Sequence, residues 1–405
     1  MISDYRLVAK SWQTPFVVLL GGCLISLVGF GARSSYGLYL GPMTLDLNWT
    51  RETFALAMAL QNLFWGICLP LAGILVDRYG PLWVVIGGAL IYALGTFGMT
   101  WVESSGSLYL AGGILVGTGV AFTSFSLVTA TMVRVVGVQR RSLVMGLCTA
   151  AGSLGQVLYS PITQGMISNH GWSSALVVTA VSVCLIIPLA FMLPNDPRVR
   201  DENVVHTGSI GAMREAFAHR GFLLLTAGFF VCGFHVAFIT VHLPVYVSDL
   251  GLGSMVGAIA ISLIGIFNIV GSLLSGAFGQ RFSKKCGLSS IYALRAVTLL
   301  VFLVAPKSEL TIYIFAATMG LLWLSTVPLT AGIIAQVFGI RYMATLYGFV
   351  FLSHQIGSFI GVWMGGYIYD LTGSYDLMWQ AGIILGLGAA LIHLPINEQP
   401  VPRLQ

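Results

Sequence analysis

The chain has 405 residues, of which 57% are hydrophobic and only 8% are charged, with a formal net charge of +5. Charged residues make up about 25% of soluble domains, so this composition excludes a water-soluble protein. The apolar stretches have the length of bilayer spans, about 20 residues for a hydrocarbon core of ~30 Å. The sequence therefore predicts an all-α membrane protein whose surroundings are lipid, with no nucleic-acid partner.

Polar breaks divide the apolar sequence into twelve predicted spans. The longest polar stretch separates six spans from the other six, which predicts an N-terminal bundle over 1–194, a cytoplasmic linker over 195–220 and a C-terminal bundle over 221–405. The approximate limits of the spans are 16–42, 53–76, 82–102, 107–133, 142–166, 173–194, 221–248, 253–279, 287–306, 310–336, 343–369 and 376–395.

The basic residues fall mainly on one side of these spans. With the N-terminus in the cytoplasm, fifteen of the 19 Lys and Arg lie in cytoplasmic segments. Arg51 and Lys307 lie in outer segments, and Arg33 and Arg295 lie inside spans. Positive charge marks cytoplasmic loops, so we expect both termini in the cytoplasm. We expect a monomeric, multi-pass protein of the inner (cytoplasmic) membrane.

Span 1 contains Arg33, in the stretch GFGARSSYGLYLGP (29–42), and no other charge lies between Pro15 and Met43. An arginine at a helix centre in lipid costs roughly 2.5–3.5 kcal/mol, and no Asp or Glu lies in the interior of a predicted span. We therefore expect Arg33 to face a water-filled cavity and to bind a visiting anion. The alternative is a structural role in which carbonyl groups satisfy it. Tyr36, one turn away, is a further cavity candidate.

The loop after span 2 reads GILVDRYG (73–80) and contains the predicted gating residues Gly73, Asp77 and Arg78. Gly73 would let spans pack closely. Asp77 could accept hydrogen bonds from the start of span 11 and pair with Arg134, which would hold the inner side shut. An ordinary rim charge is the alternative interpretation. A degenerate second copy after span 8 has Gln280 at the matching position, so its latch should be weaker.

Polar residues of the later spans complete the predicted site. With no carboxylate in the spans, His235, His242 and His354 are the candidates for proton coupling, because imidazole titrates near neutrality. A buried histidine satisfied by its neighbours is the alternative. Arg295 is expected to be structural, with its side chain reaching toward the cytoplasmic face. The other substrate-binding candidates are Thr123, Ser126, Asn268, Trp323 and Thr326, together with His235 and His354. Their alternative role is to hold neighbouring helices together.

The two halves of the chain repeat each other. Arg78 and Arg281, in the loops after spans 2 and 8, lie 203 residues apart. Gly155 in span 5 and Gly357 in span 11 lie 202 residues apart, as do Gly146 and Gly348. Such a repeat predicts two copies of one six-helix unit, an arrangement common in transporters.

The loop motif at 73–80 resembles that of the major facilitator superfamily, although Leu82 and Trp83 stand where the family usually has basic residues. RRSLVMGLCTAAGSLG (140–155) resembles the signature of the monocarboxylate transporters, with Ala151 in place of a glycine. The resemblance covers essentially the whole chain. It implies the major facilitator fold, twelve helices in two pseudo-symmetric six-helix bundles, with helices 1, 4, 7 and 10 around a central cavity.

The resemblance also implies a substrate class. The position aligned with Arg33 is a lysine that handles substrate and protons in the monocarboxylate transporters, whereas Asn268 and Ser272 replace their Asp and Arg pair. One fixed cation suits a monoanion, so we predict a proton-coupled symporter of a small organic monoanion, with no cofactor, no metal site and no enzymatic activity. One alternative is an efflux carrier for larger amphipathic compounds. Another is a membrane-embedded sensor or enzyme, although the symmetric halves of the chain argue against it.

Overall fold

The computed structural model describes residues 12–136, 141–195, 207–339 and 343–401, and the regular secondary structure in them is helical. Helices pair the backbone groups within the segment itself, which lipid requires of a spanning element. The helices are α1 (Pro15–Ser34), α2 (Leu40–Asp46), α3 (Arg51–Tyr79), α4 (Pro81–Gly98), α5 (Ser105–Leu108), α6 (Val116–Phe122), α7 (Phe125–Val136), α8 (Arg141–Cys184), α9 (Ile186–Ala190), α10 (Thr207–Ala218), α11 (Arg220–Asp249), α12 (Ser254–Arg281), α13 (Lys284–Val304), α14 (Glu309–Leu322), α15 (Thr326–Phe338), α16 (Met343–Thr372) and α17 (Asp376–His393).

Eleven helical segments of the described residues are long and apolar enough to cross a membrane. One of them, Leu143–Ala190, contains Gly171 in a non-helical conformation (φ 81°, ψ 164°) and is therefore two helices joined by a sharp turn. This count agrees with the twelve predicted spans, and the predicted all-α membrane fold is confirmed. Several helices exceed the predicted limits, as α3 does at both ends, because hydropathy detects only the apolar part of a helix.

Three spans are interrupted. Span 1 passes from α1 into a 3₁₀ turn (Tyr36–Tyr39), span 4 breaks between α6 and α7, and span 10 breaks between α14 and α15. At each break a hydroxyl donates a hydrogen bond to a carbonyl three or four residues earlier, a competing bond that bends helices. The pairs are Ser35 with Ala32 (2.8 Å), Thr123 with Gly119 (2.9 Å) and Ser325 with Leu321 (2.6 Å).

Contacts divide the chain into two compact units, residues 1–39 with 64–200 and residues 40–63 with 201–405. Residues 40–63, which belong to the first half of the sequence, therefore contact the second half. Within the second unit Gly41 lies against Val245, and Gly366 has no space for a Cβ because of Ala55 and the backbone of α3.

Each unit contains one pair of helices in close contact through a glycine of the predicted repeat. In the first unit a Cβ at Gly155 would meet the carbonyl oxygen of Leu27, so α8 packs directly on the backbone of α1. In the second unit a Cβ at Gly357 would meet the carbonyl oxygen of Phe230, so α16 packs directly on α11. Small residues allow this approach in lipid, where dispersion drives helix association. The repeated glycines thus occupy matching contacts.

The side chain of Lys307 caps the C-terminal end of α13. Its Nζ donates hydrogen bonds to the carbonyls of Leu303 and Ala305 (3.1 Å each) and to that of Phe302. Burial lowers the pKa of the Lys307 ammonium below its usual value. A cation at this place compensates the unpaired carbonyls of the last helical turn.

The glycine contact predicts opposite effects for two substitutions in α16. Gly357→Ala should destabilise the protein by about 1–3 kcal/mol, because the methyl group forces α16 away from α11. Gly348→Ala is the matched control, since a Cβ there meets no described atom within 4 Å. It should stabilise the helix by roughly 0.5–1 kcal/mol. Thermal unfolding of the purified variants measures both, and equal stability of the two would contradict the contact.

Candidate functional site

Arg33 lies in the last turn of α1 and is half-buried. Its guanidinium carbon lies 4.5 Å from the centre of the Trp65 ring and 6.0 Å from that of Phe30. The π-electrons of an aromatic face attract a cation at these distances, most strongly for tryptophan. The aromatic rings therefore stabilise the positive charge of Arg33.

A cleft opens beside this guanidinium, and every residue that lines it belongs to the first unit. Its empty space is about 290 Å³, counting the part open to solvent, and it has room for one or two water molecules. The lining combines one cation, three hydroxyl groups and four apolar or aromatic side chains. The lining residues are Ser26, Gly29, Phe30, Arg33, Trp65, Val120, Thr123, Ser124 and Phe125.

The break between α6 and α7 supplies the hydroxyl side of the cleft. Thr123 leaves the helix (φ −105°, ψ 10°), and its own hydroxyl is bonded to the carbonyl of Gly119. Ser124 follows outside helical structure, and its hydroxyl lies 3.1 Å from that of Ser126. The interruption thus places polar groups in the lining of the same cleft as Arg33.

The predicted residues of the first unit reach different places. Thr123 lines the cleft, as expected. Ser126 is exposed and touches the cleft only through Ser124. Tyr36 is 1% exposed, and its hydroxyl lies 2.5 Å from that of Thr96 on α4, so the structure does not bring it to the cleft.

Three predicted residues of the second unit, Asn268, Trp323 and Thr326, meet at the break between α14 and α15. Asn268 accepts a hydrogen bond from the backbone N–H of Leu324 (3.0 Å), and Trp323 and Thr326 are fully buried. Thr326 lies 3.3 Å from the thiol of Cys232. Helix packing accounts for these contacts, and a substrate role for these residues stays a prediction.

Arg295, on α13, binds the backbone carbonyls at the same break. It donates to the carbonyl of Leu322 from Nε (3.1 Å) and Nη2 (2.7 Å), and to the carbonyl of Trp323 from Nη2. These carbonyls end α14 and have no helical partner, so the cation compensates them and the helix dipole. The side chain is fully buried, which corrects the expectation that it reaches toward the cytoplasmic face. Its structural role agrees with the sequence.

The three predicted histidines have separate surroundings in the second unit, and none lines the cleft of Arg33. His235 Nε2 lies 2.8 Å from the carbonyl of Gly382, and its Nδ1 has no hydrogen-bond partner among the described residues. His242 uses both nitrogens, and His354 Nδ1 lies 3.2 Å from Oε1 of Gln355. All three are less than 10% exposed.

The predicted gating residues lie at the end of α3. A Cβ at Gly73 would meet no described atom within 4 Å, so close packing does not explain this glycine here. Asp77 is half-buried and Arg78 is exposed, 5.2 Å from the ring of Tyr79. The side chain of Arg134 lies outside the described part, so the proposed pair with Asp77 stays a prediction.

Sequence reasoning missed Trp65, the nearest aromatic partner of Arg33. One signal could have found it: Trp65 lies 203 residues before Asn268, which was a candidate, and the same offset relates the loop arginines Arg78 and Arg281.

Comparison with known proteins assigns a family. The model of the Major Facilitator Superfamily matches residues 22–362. Monocarboxylate transporter 13 of Rattus norvegicus is 27% identical over 94% of this chain and 89% of its own length. The oxalate:formate antiporter of Oxalobacter formigenes is 24% identical over 98% of this chain and 93% of its own. The predicted resemblance is confirmed.

Solved structures agree on the fold. A bacterial homologue of the human lysosomal transporter Spinster, in an inward-facing and unoccupied conformation, has a TM-score of 0.76 at 15% identity, covering 95% of this chain and 97% of its own. A D-xylose–proton symporter also has a TM-score of 0.76, at 12% identity, covering 96% and 99%. At such identities the likeness establishes the fold alone.

The two membrane arginines should differ in their effect on stability. Arg295→Met leaves the buried carbonyls of Leu322 and Trp323 without a donor, at a cost of about 1–3 kcal/mol for each. Arg33→Met, of the same size and charge change, should cost much less, because Arg33 is half-buried beside a cleft that opens to solvent. Thermal unfolding of the purified variants compares them. An equal loss in both would show that Arg33 also serves mainly to hold the fold.

Proposed function

The chain belongs to the major facilitator superfamily and is a secondary transporter, not an enzyme, and we propose that its substrate is a small organic monoanion bound at Arg33. The observation that carries this proposal is the described cleft, in which Arg33 is the one charged residue and none of the nine lining residues is acidic. A fixed cation inside a membrane protein marks a substrate or ion site by default. One positive charge balances one carboxylate.

The shape of the guanidinium environment supports a carboxylate. The guanidinium of Arg33 is planar, and its N–H groups lie along its edge in that plane. A carboxylate binds such an edge through two parallel hydrogen bonds. The hydroxyl of Ser124 lies in the same cleft and can donate a hydrogen bond to the anion when it accepts from Ser126.

The remainder of the lining supports an apolar body on that anion, for which the cleft would have to widen beyond its room for one or two water molecules. Phe30, Trp65, Val120 and Phe125 supply aromatic and aliphatic surface beside the charge. Small-molecule sites are usually mostly apolar, with few polar groups that fix orientation. The printed names of two relatives, a monocarboxylate transporter and an oxalate:formate antiporter, also specify carboxylates.

The remaining parts of the proposal concern energy and gating. We propose proton symport across the inner membrane by alternating access, in a monomer with cytoplasmic termini. His235, His242 and His354 are the candidate proton carriers of the spans, and Gly73, Asp77, Arg78 and Arg134 are the candidate inner gate. Tyr36, Ser126, Asn268, Trp323 and Thr326 would contribute to the pathway in other states of the cycle.

The anion site is tested by variants of Arg33. A thermal-shift screen against organic acids first identifies a ligand, because binding to the folded state raises its stability. Arg33→Gln should then lower the affinity for that acid at least about tenfold, since each charge-assisted bond contributes roughly 1.5–3 kcal/mol. Arg33→Lys keeps the charge and should retain weak binding and measurable transport.

Arg281→Gln is the matched control for lost charge, because Arg281 is exposed at the end of α12. It should bind the acid like the parent chain. If Arg33→Gln also binds the acid with unchanged affinity, the anion proposal fails and an efflux carrier for larger amphipathic compounds becomes the better interpretation.

Proton coupling is tested by replacing each of the three histidines with glutamine. A coupling histidine should lose uptake driven by a proton gradient and keep counterflow, which needs no net proton movement. Both are measured in proteoliposomes with the identified acid. Full gradient-driven uptake in all three variants would mean that the substrate brings its own proton.

A further inference from the structure

An arginine at the predicted outer side joins distant parts of the chain. Arg51, the first residue of α3, forms two hydrogen-bonded contacts with the carboxylate of Asp249 at the end of α11, at 2.6 and 2.7 Å. Its guanidinium carbon lies 3.7 Å from the centre of the Tyr369 ring. A bidentate pair between arginine and a carboxylate is stronger than a neutral hydrogen bond, and an aromatic ring beside the guanidinium adds to its attraction.

The N-terminus of α3 is held in the same place by α16. Asp370 accepts hydrogen bonds from the backbone N–H groups of Arg51 (3.1 Å) and Glu52 (2.7 Å). Glu52 in turn accepts a hydrogen bond from the indole of Trp363 (3.0 Å). We call the contacts of Arg51 and Glu52 with α11 and α16 the outer latch. It ties α3 to residues about 200 and 300 positions further along the chain.

A buried histidine is connected to this latch through one tyrosine. His242 Nε2 lies 2.9 Å from the carbonyl of Val362, which can only accept, so Nε2 carries the hydrogen of the neutral ring. His242 Nδ1 therefore accepts from the hydroxyl of Tyr375 at 3.0 Å. The Tyr375 oxygen in turn accepts from Nη1 of Arg51 at 3.1 Å. The chain from Arg51 to Val362 has one consistent direction of donation.

A proton on His242 would disturb this order. Nδ1 would become a second cationic donor aimed at the Tyr375 oxygen, which already accepts from Arg51. The Tyr375 hydroxyl would lose its acceptor and have to rotate away. An imidazolium and a guanidinium on one phenol oxygen also repel each other, and the low polarity of the surroundings strengthens that repulsion.

The other groups around His242 do not offset this charge by direct contact, since a tyrosine hydroxyl and a carbonyl occupy its two nitrogens. The charged and titratable groups at this end of the surrounding elements include Arg51 and Glu52 of α3, Tyr246 and Asp249 of α11, Tyr369 and Asp370 of α16, and Tyr375 and Asp376 at the start of α17. The carboxylate of Asp249 is already bound by Arg51.

We propose that His242 is a proton-binding site whose occupancy opens the outer latch. The proton binds more tightly to the state in which Tyr375 has released Arg51, and by reciprocity that state is populated as the outer pH falls. The inference rests on the proposed proton coupling and names the histidine that performs it. Among the described residues His235 and His354 have no such connection: His235 bonds to the carbonyl of Gly382, and His354 Nδ1 lies within hydrogen-bond distance of Gln355 and Ser358.

Spin labels across the latch test the proposal without any organic acid, so its outcome is independent of the Arg33 site. Leu45 and Thr372 are exposed near the two sides of the latch and take the labels in a background without the native cysteines. Between about pH 8 and about pH 5 the population with a longer label distance should rise about threefold or more. His242→Gln, which carries one donor group and one acceptor group but cannot take the proton, and Tyr375→Phe should abolish the response.

His393→Gln is the control, since His393 is equally buried but its Nδ1 bonds only to the carbonyl of Ala389. It should respond to pH like the parent chain. A full response in His242→Gln, no response in the parent chain, or loss of the response in His393→Gln would each overturn the proposal. Hydrogen exchange of 46–54 and 370–376 in the unlabelled parent chain, corrected for the intrinsic pH dependence, repeats the measurement if the cysteine-free background does not fold.

Discussion

Lipid supplies no hydrogen bonds, so a helix that is interrupted inside the membrane must find partners for its freed backbone groups within the protein. At the break between α14 and α15, Arg295 donates hydrogen bonds to the free carbonyls and Asn268 accepts one from a free backbone N–H. At the break between α6 and α7, the residue that corresponds to Asn268 in the repeat is Trp65, 203 positions earlier. Its side chain has an aromatic face in place of an acceptor oxygen. That face lies under Arg33, and the cleft opens there. In the second half of the chain, a cation from a neighbouring helix thus satisfies the backbone groups at the break. In the first half, a cleft that contains a cation lies beside the break.

The architecture could be predicted from the sequence because it depends on local, repeated properties. A span needs about 20 apolar residues, so composition alone marks its position. The sharp turn at Gly171 falls within the predicted break at 166–173. The repeat offset placed Gly155 and Gly357 at matching helix contacts, because direct backbone contact in lipid depends on the absence of a side chain.

The contacts of individual polar side chains could not be predicted in the same way. Tyr36 was assigned to a cavity because it follows Arg33 by one turn, yet the 3₁₀ turn directs its hydroxyl to Thr96. Arg51 entered only a count of loop charges, whereas its partner Asp249 lies 198 residues further along the chain. Such pairs depend on which helices become neighbours, and spacing within one helix carries no information about that.

The sign of the surface potential on the predicted outer side follows from the contacts of its two basic residues. Lys307 directs its ammonium to the carbonyls at the end of α13, and Arg51 is neutralised by Asp249. The acidic residues on that side outnumber them: Asp46, Glu52, Glu103, Asp249, Glu309, Asp370 and Asp376. The surface potential there is therefore negative, over a distance of about 10 Å at 0.1 M salt. Hydronium ions accumulate at such a surface, while an organic anion approaches it against a repulsive field that added electrolyte weakens.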